Sequence, residues 1–180
     1  MTIRVIVEPV NMAVSLADAR NAARVNGTDL DNELETNVRA LTATAEHYTG
    51  RAIINRTYRV TLDEFPDAIE LPSTPLVEVT SVKYIDEDGV EQTLDQADYI
   101  VDSESEPGYI VPGVDLDWPA TQIRVNAVNV VAVCGYGDDH TTTPAPFKAF
   151  ILARLKEMYA PAGTPESPFL IRGLDNLRVY

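Results

Sequence analysis

Two histidines, His47 and His140, are the only imidazoles in this 180-residue chain. Acid–base or nucleophilic chemistry at neutral pH needs such a group beside a partner that activates or orients it. His47 lies late in a helical pattern, next to the apolar Tyr48, and reads as a helix-end residue. Asp138-Asp139-His140 offers carboxylates and an imidazole, donors that suit several divalent ions. Three adjacent residues rarely converge on one ion, however, and no distant partner has suitable spacing. Asp86-Glu87-Asp88-Gly89 lacks the alternating ligands before the glycine, and the glutamate after it, that a calcium loop requires. A hairpin turn is expected there instead. Gly135-Tyr136-Gly137 lacks the further glycine and the lysine of a phosphate cradle. Cys134, the single cysteine, lies in an apolar run and is expected to act as a small hydrophobe. No strand–nucleophile–helix elbow is present. The expectation is a protein that is not an enzyme, with no catalytic residue, metal or cofactor.

The bulk composition points the same way. Charged residues make up 23% and hydrophobic residues 45%, ordinary for a globular protein with a real core. Against 28 acidic residues stand 14 basic ones, a formal net charge of −14. That field repels nucleic acid and anionic membrane. It fits simple solubility, and it also fits a surface that stays near DNA without binding it. No apolar run approaches a membrane span, and the alternating start at Ile3, Val5 and Val7 is too short for a signal peptide. Synthesis in the cytoplasm, with no membrane partner, is expected.

The elements that would position any site follow from periodicity. Residues 3–7 predict an edge strand. Ser15, with Asp18 three residues on, predicts the start of a short helix over about 16–25, ended by Asn26-Gly27. Leu30, Leu34, Val38, Leu41, Ala45 and Tyr48 mark one face of a second helix of about 20 residues, a rod of roughly 30 Å. Its first turns are acidic, favourable against the helix dipole, and Gly50 suits a left-handed cap. Strands are expected at Arg56–Leu62, Leu71-Pro72, Pro75–Tyr84 and Val90–Leu94, with a bulge near Thr80-Ser81 where the apolar parity changes. Short strands are expected at Tyr99–Val101 and Tyr109–Val111. Ser103–Ala120, rich in Pro, Gly and Asp, reads as a long loop. The second half of Ile123–Cys134 is apolar on both faces, as in a central strand. Pro144 and Pro146 open a third helix, apolar around most of its circumference. The class is α+β: a helical bundle, about 15–50 and 144–160, with an antiparallel β region inserted at about 53–134. All of it is read as one domain over 1–180, with a C-terminal docking tail over 161–180. Leu34, Val38 and Leu41 are expected to share a core with Phe147, Ile151 and Leu155.

These elements, in this order, resemble the head–tail connector (adaptor) family of long-tailed bacteriophages and prophages. The resemblance is carried by Ser15-Leu-Ala-Asp-Ala-Arg, Ala45-Glu-His-Tyr-Thr-Gly-Arg-Ala-Ile, Thr57-Tyr-Arg-Val-Thr-Leu-Asp-Glu-Phe-Pro and Leu71-Pro-Ser-Thr-Pro-Leu-Val-Glu-Val-Thr-Ser-Val-Lys-Tyr. Asp86-Glu-Asp-Gly-Val, Tyr99, Trp118-Pro119, Gly135-Tyr-Gly and Pro144-Ala-Pro-Phe-Lys-Ala extend it. It covers most of the chain but departs before Asn11 and after Pro161. It implies a non-enzymatic virion protein of the particle neck. Such a protein assembles with itself as a ring, by implication a dodecamer, between the portal protein and a tail-side head-completion or tail-terminator protein. Genomic DNA passes without specific binding. The competing classes are an accessory binding module or assembly factor, then a small hydrolase.

Candidate interface residues are Trp118 in the long loop and the tail residues Phe169, Leu170, Ile171, Leu174, Leu177 and Tyr180. The tail is too apolar for a free solvated end. Leu170, Leu174 and Leu177 have helical spacing, so it either docks on a neighbour or folds back on its own domain.

Overall fold

The computed structural model describes residues 1–165 and 171–179. The chain divides into two compact units: residues 1–8 with 55–135, and residues 9–54 with 136–180. The first is built of β-strands and the second of helices, an α+β architecture with the antiparallel region inserted between helices.

The helical unit contains α1 (Leu16–Ala23), α2 (Asp31–Thr49) and α3 (Ala145–Met158). Ser15 caps α1: its hydroxyl accepts from the Asp18 amide at 3.0 Å and donates to the Asp18 carboxylate at 2.7 Å. The helix ends two residues earlier than Asn26-Gly27 suggests, because Arg24 itself takes the left-handed conformation at φ 57°. Arg20 then holds the next helix start, donating from Nε and Nη2 to both Asp31 carboxylate oxygens at 2.7 and 2.5 Å. Gly50 closes α2 at φ 74°, its amide bonding the Glu46 carbonyl at 2.8 Å.

The buried stripe of α2 is Leu34, Val38, Thr42, Ala45 and Thr49, rather than one running through Leu30, Leu41 and Tyr48. Leu30 is exposed, and Leu41 and Tyr48 are half-buried at the border of the core. Two threonines can occupy the buried stripe because each hydroxyl donates within the helix, Thr42 to the Val38 carbonyl at 2.7 Å and Thr49 to the Ala45 carbonyl at 2.8 Å. A satisfied hydroxyl removes most of the penalty of burying it. Phe147, Phe150, Ile151 and Leu155 of α3 complete this core with Leu34, Val38, Ile53 and Ile54.

The β unit holds β1 (Thr2–Val7), β2 (Arg56–Leu62), β3 (Ile69–Glu70), β4 (Leu76–Ile85), β5 (Glu91–Thr93), β6 (Tyr99–Asp102), β7 (Tyr109–Pro112) and β8 (Val128–Cys134). Five strands form one antiparallel sheet in the order β1-β2-β8-β4-β5, and three form another in the order β3-β7-β6. β8 lies centrally, with Val128, Val130, Ala132 and Cys134 buried and the alternate residues half-buried. The expected bulge near Thr80-Ser81 is present as a register shift between Val79 and Ser81. A second shift lies between Leu76 and Glu78.

One expectation changes. The short strand expected at Leu71-Pro72 forms instead at Ile69–Glu70, where Ile69 is buried and proline removes no ladder donor. Within Ser103–Ala120, the short strand expected at Tyr109–Val111 forms as β7, the middle strand of the smaller sheet, with Ile110 fully buried.

Both glycines of Gly135-Tyr136-Gly137 have a steric reason. Each sits at φ 149°. A Cβ on Gly135 would lie 2.5–2.6 Å from Asn55 atoms, and one on Gly137 2.5 Å from the Thr142 hydroxyl. Gly135→Ala is expected to destabilise the chain by about 1–3 kcal/mol through backbone strain. Ile151→Ala should cost about 2–5 kcal/mol, and Leu41→Ala distinctly less because Leu41 is only half-buried. Urea-denaturation midpoints for the three variants check this ranking.

Candidate interaction surfaces

The single tryptophan is held within the β unit. Trp118 stacks on Phe65, with ring centroids 4.7 Å apart and planes 10° apart, and Phe65 meets Tyr84 edge-on at 5.7 Å. Its indole Nε1 is buried and donates to no group among the described residues. Around it, residues 113–126 form an irregular segment carrying exposed aliphatic side chains. Ile123 is fully exposed, Val114 78% and Val125 69%. Trp118 is therefore the anchor of this loop, and Val114, Leu116, Ile123 and Val125 are the side chains offered outward. Their lack of any period made them unremarkable in the sequence. The available signal was aliphatic residues set among Asp, Pro and Gly in a segment with no strand or helix pattern.

The C-terminal segment takes the fold-back alternative over its described part. Ile171–Leu177 forms a 3₁₀ helix rather than an α-helix. Leu174 is buried in the core of the helical unit, with Ile171 and Leu177 packed at its border. Polar contacts hold it there. Tyr48 donates to the Asp175 carboxylate, Arg51 Nε to the Leu177 carbonyl at 2.6 Å, and the Val179 amide to the Thr49 carbonyl at 2.9 Å. The Arg178 guanidinium lies 5.1 Å from the Tyr48 ring centroid. Phe169, Leu170 and Tyr180 lie outside the described residues.

The charge is divided unequally between the units. The β unit carries 17 acidic against 5 basic residues, net −12; the helical unit carries 11 against 9, net −2. The acids of α2 have local tasks. Asp31 pairs with Arg20, whose hydrogen bonds hold its carboxyl below the usual range. Glu35 pairs with Arg39 at 2.8 Å, Glu33 accepts from the Tyr159 hydroxyl at 2.6 Å, and Glu46 accepts from the Ile53 amide at 2.8 Å. The acidic field thus belongs to the β unit and not, as the dense acids of α2 suggest, to the second helix.

The other polar candidates also serve local structure. Asp86 turns the β4–β5 hairpin by accepting from the Asp88 and Val90 amides at 3.1 and 2.8 Å. Asp139 accepts from the Thr141 amide and hydroxyl at 2.7 and 2.6 Å. Cys134 is buried, which pushes its thiol up to about 11. Among the described residues, no three His, Cys, Asp or Glu side chains converge on a possible metal position, and no helix is long and apolar enough to cross a membrane.

No protein-family model matches the chain, and no curated protein matches its sequence. Its fold does recur in solved structures. A chain in the neck of an empty gene transfer agent particle, computed with C6 symmetry, superposes with a TM-score of 0.81 at 20% identity. A chain in the virion of a native gene transfer agent particle gives 0.80 at 20% identity, and one in the neck of the native particle, computed with C12 symmetry, gives 0.77 at 22%. Each match spans 100% of this chain and 96% of the other. At this level of identity the likeness is one of fold.

Two measurements follow. Leu174→Ala, or truncation after Ala160, should lower the stability of the isolated protein, the substitution by about 2–5 kcal/mol; unchanged thermal unfolding would make the segment dispensable to the core. Asp102 accepts from the Ser105 amide and hydroxyl and from the Glu104 amide, and these bonds, with Tyr109, lower its pKa to about 2. A depressed carboxyl stabilises the fold above its ordinary pKa and loses that contribution as pH falls through the folded value. The NMR titration midpoint of Asp102 should therefore lie near 2, with the 102–105 turn intact at pH 4.

Proposed function

We propose that this chain is a structural subunit of a particle neck, a head–tail connector that forms a ring, of twelve copies, between a portal protein and a tail-side completion or terminator protein. The observation that carries the reading is the whole-chain fold likeness to chains from particle structures, two of them necks computed with C6 or C12 symmetry. The order of motifs resembling the connector family supports it independently of those coordinates. So does the distribution of side-chain chemistry. Asp31, Glu35, Asp86 and Asp139 serve ion pairs and turns, while aliphatic side chains are offered to solvent from the 113–126 segment. A conduit for DNA also favours acidic walls, because a cationic lining would hold the passing strand through its phosphates. In this protein that role would fall to the β unit, with its net charge of −12.

Image reconstruction of purified particles carrying this chain tests the reading. Twelve copies stacked on the portal are expected; a copy number unrelated to portal symmetry, or a position away from the neck, overturns it. The isolated protein should give no salt-sensitive retardation of duplex DNA near physiological ionic strength. Val114→Asp with Ile123→Asp should leave stability within about 0.5 kcal/mol, because both side chains are exposed. The same variant should fail to join filled heads.

A further inference from the structure

The five-stranded sheet has two open edges that complement each other. We propose that β1 of one subunit adds as a strand to the uncovered half of β4 in the next copy, so that the sheet continues from subunit to subunit around the ring. This rests on the ring reading above and specifies the contact that would build it.

Three observations carry the inference. First, β5 pairs only with Lys83, Tyr84 and Ile85, so among the described residues the outer edge of Leu76–Ser81 has no strand partner. Beside that edge lies an open groove of about 450 Å³, lined by Leu76–Thr80 with Gln96, Val101 and Ser103. Val77 is 50% exposed there. An unpaired edge of this length is a template for another strand.

Second, β1 is a strand whose outer edge also has no strand partner among the described residues, and it presents Ile3, Ile6 and Val7 to solvent. It has six residues, Thr2–Val7, matching the six of the open stretch 76–81. Every pairing across β1-β2-β8-β4 is antiparallel, so β1 runs opposite to β4. A rotation that carries one subunit to the next and keeps the sheet direction therefore sets β1 antiparallel to β4, the favoured pairing. Joining two different edges in this way is a heterologous contact, the kind that closes a ring.

Third, the charges match. Arg4 stands directly opposite Arg59 in the β1–β2 ladder, and neither has an acidic partner among the described residues. Like charges directly opposed destabilise a sheet. These are two of only five basic residues in a unit of net charge −12. Glu78 is exposed on the open stretch of β4, also without a partner among the described residues. Through Arg4↔Arg59↔Val131 and Glu78↔Val133, the arginines and Glu78 share the sheet face opposite the buried Val130, Ala132 and Cys134. Strand addition would bring the cationic edge of one copy against the acidic edge of its neighbour on that common face. The two bulges of β4 limit the length of regular ladder, so the side-chain match contributes to specificity.

Disulfide trapping tests this on the full chain. Within one subunit β2 and β8 separate β1 from β4 by about 14 Å, beyond the Cα separation of under about 7 Å that a disulfide spans. An Arg4→Cys protein mixed with a Glu78→Cys protein at about millimolar concentration and oxidised should give cross-linked species that neither gives alone. The amides of 2–7 and 76–81 should gain hydrogen-exchange protection on assembly. Arg4→Glu and Glu78→Arg should each weaken self-association about tenfold or more, and the double variant should restore it. Rings that form without the cross-link, without protection and without response to the charge changes overturn strand addition and leave the ring reading standing. Cross-links confined to open chains or dimers support the pairing and count against the ring. If neither oligomer nor cross-link forms at that concentration, strand addition is overturned, and particle imaging judges the neck reading separately.

Discussion

The pairing of β2 with β8 is the constraint from which the two units follow. Arg56 stands opposite Cys134, so the two ends of the inserted β region leave it side by side. A chain that departs at Asn55 thus returns at Gly135, and the Tyr136 amide reaches the Ile53 carbonyl at 3.4 Å within the helical unit. Without that closure, α2 and α3 could share a core only by closing a loop of some eighty residues as flexible chain. The entropy of such a closure rises slowly with length but is never recovered by the loop itself. The ladder does the closing, and the glycine at position 135 is what permits it, since any side chain there would strike Asn55.

The helical unit uses polar groups more than its amphipathic pattern suggests. Threonines occupy part of the buried stripe of α2, and the polypeptide after α3 returns to place Leu174 in the same core. Arg51 and Tyr48 at the end of α2 fasten that returning segment through the Leu177 carbonyl and the Asp175 carboxylate. The β unit has the opposite character. It holds nearly all of the net negative charge, yet its β1 edge presents opposed arginines.

Much of the candidate chemistry was legible as structural before any coordinates. Asp86-Glu87-Asp88-Gly89 reads as a turn because an aspartate side chain can satisfy the next amides, and it does so. The candidate interaction surfaces were less legible. Trp118 attracts notice as the single tryptophan, but its ring is stacked on Phe65, and the exposed groups are aliphatic neighbours with no periodic signature. The tail's apolar residues fit docking and fold-back equally well, since burial looks the same in sequence whichever surface supplies it.

Local chemistry determined the helices, their caps at Ser15 and Gly50, the β4–β5 hairpin and the central, two-sided character of β8. Each is set by interactions within a few residues or by a period of burial. Only the tertiary structure decided which face of α2 is buried, that residues 1–8 join the β unit, and that the strand at Tyr109–Pro112 lies between β3 and β6. It also decided that Arg4 faces Arg59, and that among the described residues one edge of Leu76–Ser81 in β4 has no strand partner. These are matters of register and partnership between segments far apart in sequence. A residue's type states what it can bury or pair with, but not which distant strand will stand beside it.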